Sequence, residues 1–242
     1  LELDSWQLQG FGEAKMSPHI SVFTTFYPDH LNYYKDDLDA YLADKANIFL
    51  YQEPENTLIL GGQCADLIKR KYGDRICSHI SITGARDLPV DWTLKIPGEH
   101  NRYNAALALA AARASRIPDN VIRRALELFP GVPGRLEFLR EVHGVKMYND
   151  NNSTTPEATL AALAALDLEL TVVIMGGSDK ALDMSMLLAK VRTAKGAVLL
   201  AGTGTDHIKD QLPGSMIYHT LLDAFTAAVH MASPGDIILF SP

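Results

Sequence analysis

From Val145 to Phe240 the chain alternates between short apolar runs of strand length and longer segments of helical period. The apolar runs are Val145 to Tyr148, Thr171 to Met175, Ala197 to Ala201, Met216 to Tyr218 and Ile237 to Phe240. Helical stretches lie between them at Pro156 to Leu166, Met184 to Ala194, near Asp206 and at Leu221 to Ala232. A strand followed by a crossover helix and a parallel strand packs almost always as a right-handed unit, and repeating that unit gives a sheet covered on both faces. The pattern predicts the α/β class and a Rossmann-like parallel-sheet domain for this half of the chain.

Gly131, Pro133 and Gly134 fall within four residues just before that alternation begins, a composition suited to a hinge. The expected division is therefore residues 1–131 and 132–242, and a hydrophobic content of 47% over 242 residues is enough to bury a core in each. In the first part, Leu1 to Leu8 alternates apolar and polar residues as a strand end running into a turn would. Ile20 to Phe23 reads as a strand that empties into the loop Thr24 to His30. Asp36 to Phe49 has helical period with Asp36 or Asp37 as cap, and Thr57 to Leu60 and Ile76 to Ile82 are strand-like around a helix at Ala65 to Lys71. Glu99 to Asn104 opens an alanine-rich helix reaching Ala114, and a second helix runs from Asp119 to Phe129.

The net charge of −7 and the lack of a basic run argue against a nucleic-acid partner. No stretch of roughly 18 apolar residues is present, so no membrane span is expected. There is also no charged-then-apolar leader. Cys64 and Cys77 match no metal-ligand spacing and are too few for a disulfide framework, which makes a reducing cytoplasm the expected compartment. A monomer is the expected state. Leu1-Glu2-Leu3 and Asp236 to Pro242 both read as strands met at a chain end, so the expectation is a fragment of a longer protein.

In an open parallel sheet, ligands sit beyond the carboxyl ends of the strands, which directs attention to Asp150 with the loop Asn149 to Thr155, and to Gly176-Gly-Ser-Asp-Lys180. Arg135 and Asp150 lie on opposite sides of one short strand and flank the hinge, which suggests a cleft between two domains. Glycines after a buried strand let backbone approach a ligand and Lys180 adds a positive charge, although a solvated lysine fits the same pattern. Gly202-Thr-Gly-Thr205 lacks a third glycine and reads as a tight turn. Glu2, Asp29 and His30 have the donor types that suit a divalent cation bound with phosphate, although on spacing alone acids and a histidine in loops are more often solvated surface. Asn101 and Asn104 sit one helical turn apart, a spacing suited to the donor and acceptor edge of a base, with N-capping by Asn101 as the competing reading.

Taken in order, Leu1 to Leu8, Pro28-Asp-His30, Lys45 to Phe49, Gly98 to Asn104, Gly134 to Glu137, Asn149-Asp150 with Thr154, and Gly176 to Lys180 resemble the motifs of the Mur ligases. The likeness covers nearly the whole chain and is strongest to the glutamate-adding members. It implies that residues 1–131 are the C-terminal part of a central P-loop-type ATPase domain. Residues 132–242 would then be the Rossmann-like domain that brings the amino acid, truncated at its end. No G-x-x-x-x-G-K-[ST] occurs in the chain, and the family places that motif upstream of the segment matching Leu1.

The activity implied is ATP-dependent addition of glutamate, the D isomer, to UDP-N-acetylmuramoyl-L-alanine through an acyl phosphate, a step in peptidoglycan precursor synthesis. ATP and Mg²⁺ are the implied cofactors, and the UDP substrate and glutamate the implied partners. By resemblance Glu2, His30 and Lys45 form the catalytic and metal set, with Lys45 matching a lysine that is carbamylated in the family. Asn101 and Asn104 match residues near the adenine, Arg135 the hinge arginine reaching the phosphates, and Asp150 an acid approaching the nucleotide. Lys180 and Thr154 match residues for the incoming amino acid. The sequence departs from the family pattern at Asn152, where a lysine is common, and at Asp4, where a serine is usual. Another Mur ligase or a folylpolyglutamate-synthetase-like ligase is the near alternative, and a non-catalytic nucleotide-binding fragment is another. An NAD-dependent enzyme would need a glycine-rich loop where Asn149 to Thr155 has no glycine.

Overall fold

The computed structural model describes residues 1–180 and 182–242, with Leu31 described by its backbone. Two compact units emerge, one of Leu1–Leu94 with His100–Leu128 and the other of Lys95–Glu99 with Phe129–Pro242.

The first unit contains α1 (Ser5–Ala14), β1 (Ile20–Phe23), α2 (Leu31–Tyr34), α3 (Leu38–Ala46), β2 (Thr57–Gly61), α4 (Ala65–Tyr72), β3 (His79–Thr83), nearly all of α5 (Glu99–Ala114) and α6 (Asp119–Leu128). The strand expected over the first residues is absent among the described residues. Leu1 to Asp4 forms no regular element and Ser5 starts a helix. The cause is local: Asp4 accepts from the Gln7 amide at 2.8 Å while Gln7 Oε1 accepts from the Asp4 amide at 2.9 Å, a reciprocal capping box. That Asp-x-x-Gln signal outweighs an alternation only a few residues long.

Strands β1, β2 and β3 form a parallel sheet in that order. Leu58 and Leu60, two residues apart and thus on one face of β2, are buried in one cluster with Phe23, Leu42, Phe49 and Ile68. Asp37 starts α3 by accepting from the amides of Asp39 and Ala40, and the helix lays Leu42 and Ala46 into this cluster. A second cluster, Leu88, Trp92, Ala105, Ala106, Leu109 and Ile122, seats α5 and α6.

The second unit contains β4 (Glu137–Val142), β5 (Val145–Asn149), α7 (Pro156–Ala164), β6 (Thr171–Gly176), α8 (Ser185–Val191), β7 (Gly196–Leu200), α9 (Thr203–Ile208), β8 (Met216–Tyr218), α10 (Leu221–Met231) and β9 (Ile237–Phe240). Its sheet has the order β4-β5-β9-β6-β7-β8, parallel throughout except for the antiparallel pair β4 and β5. Strand β6 is covered on both faces. Val173 and Met175 pack with Leu163, Leu187 and Leu239, whereas Val172 and Ile174 pack with Val198, Ile238 and the small residues Ala224 and Ala228 of α10.

Strand β4 was not anticipated from the sequence, because five of its six residues are exposed and its apolar residues show no buried stripe. It is held by a two-residue turn, His143-Gly144, in which both residues have positive φ, 52° and 78°, as a type I′ hairpin turn requires. This corrects the placement of Arg135 and Asp150. Two strands of a hairpin separate them, and Glu137 pairs with Asn149 at the open end, so both residues flank the same end of the hairpin. Among the described residues no helix is long and apolar enough to cross a membrane.

Candidate functional site

Each unit gathers polar side chains where its parallel strands end. In the first, β1 runs into the loop Thr24 to His30, at whose end His30 takes a positive φ of 55°. Asp29 accepts from the His30 amide at 2.8 Å through Oδ1, and its Oδ2 lies 3.6 Å from His30 Nε2. The imidazole is walled by aromatic rings, edge-on to Trp6 at 4.7 Å and to Tyr41 at 6.1 Å between centroids.

Lys45, on the last turn of α3, lies with its Nζ 5.1 Å from the centroid of the Tyr41 ring. Burial lowers the pKa of its ammonium, and the carboxylates of Asp29, Asp4 and Glu2 act in the opposite direction. Tyr41 is pushed up to about 12, first by its own burial and then by the charge of Asp29. The fold thus brings Glu2, Asp29 and Lys45 into one electrostatic neighbourhood with His30 at its edge. Among the described residues no group of three or more His, Cys, Asp and Glu side chains is arranged to hold a metal ion.

Asn101 and Asn104 lie in the first turns of α5, Asn104 exposed and Asn101 partly buried. Helix α5 starts at Glu99, so Asn101 is already inside it and is not the capping residue. The residues between the two asparagines are anchors. The Arg102 guanidinium donates to the carbonyls of Leu88, Pro89 and Trp92, and the Tyr103 hydroxyl donates to the Thr24 carbonyl at 2.7 Å.

In the second unit, the loops that follow β5, β6 and β9, together with the helix α9 that follows β7, surround a cavity of about 540 Å³. Thr154 and Lys180 both line it, so the two sequence-predicted residues converge there, and both side chains are exposed. Met175, Leu187 and Ile208 supply an apolar lining. Ser241, Asp179 and His207 also line the cavity, Asp179 lying 3.4 Å from His207 Nε2. Asp179 and Ser241 lie in stretches noted from the sequence but were given no role of their own there, and His207 was not noted at all. Ser241 was within reach, since it directly follows a buried strand in a parallel sheet, whereas His207 carries no such local signal.

Asp150 does not line the cavity and lies behind Ser153 and Ser241, which do. It is 3% exposed, and its carboxylate accepts from the Leu136 amide at 2.8 Å, from Ser153 Oγ at 2.5 Å and from Ser241 Oγ at 3.1 Å. Arg135 is exposed and donates to the Asn152 carbonyl at 2.8 Å. Asn152 also donates its side-chain amide to the Pro133 carbonyl at 3.0 Å and its backbone amide to the Gly134 carbonyl at 2.9 Å, lacing the loop after β5 to the glycine-proline segment. The segment at Gly202 is not the isolated tight turn expected. It starts α9, and the Gly204 amide donates to the Gly177 carbonyl at 2.9 Å, so the two glycine-bearing loops pack on each other.

Compared with known proteins, residues 1–86 match the Mur ligase middle domain and residues 134–242 match the Mur ligase glutamate ligase domain. The chain belongs to the Mur ligase family. Among curated Mur ligases it is 33% identical to UDP-N-acetylmuramoylalanine–D-glutamate ligase of Roseiflexus sp. (strain RS-1) and 32% identical to the same ligase of Salinibacter ruber. Both matches cover 100% of this chain, which spans 59% and 58% of the length of those relatives. Among solved structures it is similar to the Mur ligase MurF of Thermotoga maritima in complex with ADP. That match has a TM-score of 0.75 and 14% identity, covering 99% of this chain and 61% of the other. Escherichia coli FolC in complex with DHPP and ADP is similar with a TM-score of 0.67 and 20% identity, over 93% of this chain and 59% of the other.

Proposed function

We propose that this Mur ligase chain is the nucleotide- and amino-acid-handling part of an ATP-dependent ligase that adds D-glutamate to UDP-N-acetylmuramoyl-L-alanine. Residues 1–131 would be the end of its central ATP-binding domain and residues 132–242 its amino-acid-binding domain. The observation that carries this reading is the meeting of Thr154 and Lys180 in one cavity at the carboxyl edge of the second sheet, in a chain matched along its full length by two D-glutamate ligases. A lysine ammonium and a hydroxyl at the mouth of a partly apolar cavity suit a small amino acid that carries an extra carboxylate.

Forming an amide in water requires an activated carboxylate. In this reading ATP phosphorylates the alanine carboxylate of the UDP substrate, the glutamate amine attacks the acyl phosphate, and inorganic phosphate leaves. The protein's part is positioning and charge neutralisation. Asn101 and Asn104 would take the adenine edge, the exposed Arg135 the phosphates, and Lys180 with Thr154 a glutamate carboxylate. Asp150, which by resemblance would approach the nucleotide, has a buried carboxylate that already serves three donors, which favours a role in holding the loop after β5.

Mg²⁺ would neutralise phosphate oxygens as charge develops on them. It commonly keeps several waters and takes only one or two protein carboxylates beside substrate phosphates, so a dedicated cage of protein ligands is not required. The acidic neighbourhood of Glu2, Asp4 and Asp29 suits a cation of that kind, with Glu2, His30 and a carbamylated Lys45 as the groups to hold it. A cytoplasmic location follows from the nucleotide substrates.

The test is to purify the product of the full reading frame and follow ADP release with UDP-N-acetylmuramoyl-L-alanine, ATP, Mg²⁺ and D-glutamate. Release that needs all four supports the reading. No release with either glutamate isomer overturns it, and release with L-glutamate alone reassigns the stereochemistry.

A further inference from the structure

The loop that ends in Asp29 and His30 is tied to the end of β2 and to the start of α5 by side chains with no place in the proposed chemistry. Gln63, just past β2, acts as a strand would: its Oε1 accepts from the Phe26 amide at 2.9 Å and its Nε2 donates to the Phe26 carbonyl at 2.9 Å. Two residues earlier in the loop, the Thr24 carbonyl accepts from the Tyr103 hydroxyl at 2.7 Å, across a sequence separation of 79. That bond passes directly over Gly61. A Cβ at Gly61 would lie 1.9 Å from the Thr24 carbonyl oxygen and 1.9 Å from the Tyr103 hydroxyl oxygen, so only glycine leaves room for it.

We propose that Gly61, Gln63 and Tyr103 form a clamp that fixes the loop bearing His30 relative to the N-terminal end of α5, and that Tyr103 is a positioning residue for the nucleotide. Tyr103 stands between Asn101 and Asn104, the residues assigned to the adenine, so one hydroxyl links the base end of the nucleotide site to the loop assigned to its metal-bound phosphate end. The inference rests on those two assignments. A nucleotide that reaches both ends needs their separation held, since even a small misplacement of reacting groups slows a reaction steeply.

The variant to make is Tyr103→Phe in the full-length protein, which keeps the ring and removes the donor. Hydrogen exchange should quicken about fivefold at the Phe26 amide, the factor that one hydrogen bond is worth. In calorimetry, the Mg²⁺ concentration that half-saturates tight ADP binding should rise about fivefold for the same reason. In the turnover assay, kcat should fall with KM for glutamate unchanged. Gly61→Ala should move the same readouts further in the same direction.

Faster exchange at Phe26 with an unaltered Mg²⁺ requirement would show a purely structural bond and overturn the proposal, as would no change in either. Calorimetry with ADP and Mg²⁺ does not depend on turnover, so a protein that fails the glutamate assay still decides this question.

Discussion

Ser153 donates its hydroxyl to the Asp150 carboxylate at 2.5 Å, and Ser241, 91 positions further along the chain than Asp150, donates to the same oxygen at 3.1 Å. Thr159 of α7 joins through a 2.9 Å contact with Ser241 Oγ. A single buried carboxylate thereby joins the start of β4, the loop after β5, and the end of β9. Asp150→Ala should leave three donors without their acceptor and lower the stability of the second unit by about 3 kcal/mol, whereas Ser153→Ala should cost about 1 kcal/mol. Urea titration followed by a probe in residues 129–242 measures both. Equal, small losses would mean that the network relaxes without cost.

Lys180→Ala should raise KM for glutamate tenfold or more and leave KM for ATP near its original value, because a charge-assisted hydrogen bond is worth about 1.5 to 3 kcal/mol. Steady-state kinetics of the full-length enzyme checks the split. A matched rise for both substrates would move Lys180 to the nucleotide.

Asn104→Ala removes one base-edge hydrogen bond at an exposed helix position and should weaken ATP binding about fivefold without lowering Tm. Calorimetric titration reads the affinity directly. An unchanged Kd would remove the adenine assignment.

Lys45→Ala should abolish turnover, and added acetate should restore part of it. Burial favours the neutral amine of Lys45, whose Nζ can bond to the carbon of CO₂ with loss of a proton, replacing a cation by a carbamate anion. A carboxylate diffusing into the truncated site would supply similar oxygens. Full activity of the variant without any added acid excludes this role.

Asp236 is buried and accepts from Lys195 Nζ and from the Ser233 amide, and these partners, Lys195 first, hold its carboxyl below the ordinary value of 3.8. A carboxyl depressed on folding contributes stability that is present above its unfolded pKa and is lost as pH falls through the folded one. Asp236→Asn should therefore lower stability by about 2 kcal/mol at neutral pH. It should also flatten the decline below about pH 4. Thermal unfolding of wild type and variant across pH 2 to 7 tests the sign.

Much of the secondary structure was legible because its determinants lie within a few residues. The apolar run Thr171 to Met175 became a strand buried on both faces, and Thr155 followed by Pro156 started α7, the threonine side chain accepting from the Ala158 amide. Asp37 likewise capped α3. The helix at Ser5 is equally local, written in the capping box of Asp4 and Gln7, and a brief apolar-polar alternation over the same residues masks it.

The chain by itself also determined which residue types stand after which strands, and so placed Thr154 and Lys180 at loops that share a cavity. Tertiary structure alone decided the rest. Strand β9, last in sequence, enters the sheet between β5 and β6, and that insertion is what sets Ser241 beside Asp150 and into the cavity wall. It also buried a carboxylate whose loop position pointed to a ligand role. Periodicity and capping are short-range properties of the backbone, but burial and convergence depend on contacts between segments far apart in the chain, whose energies no local window contains.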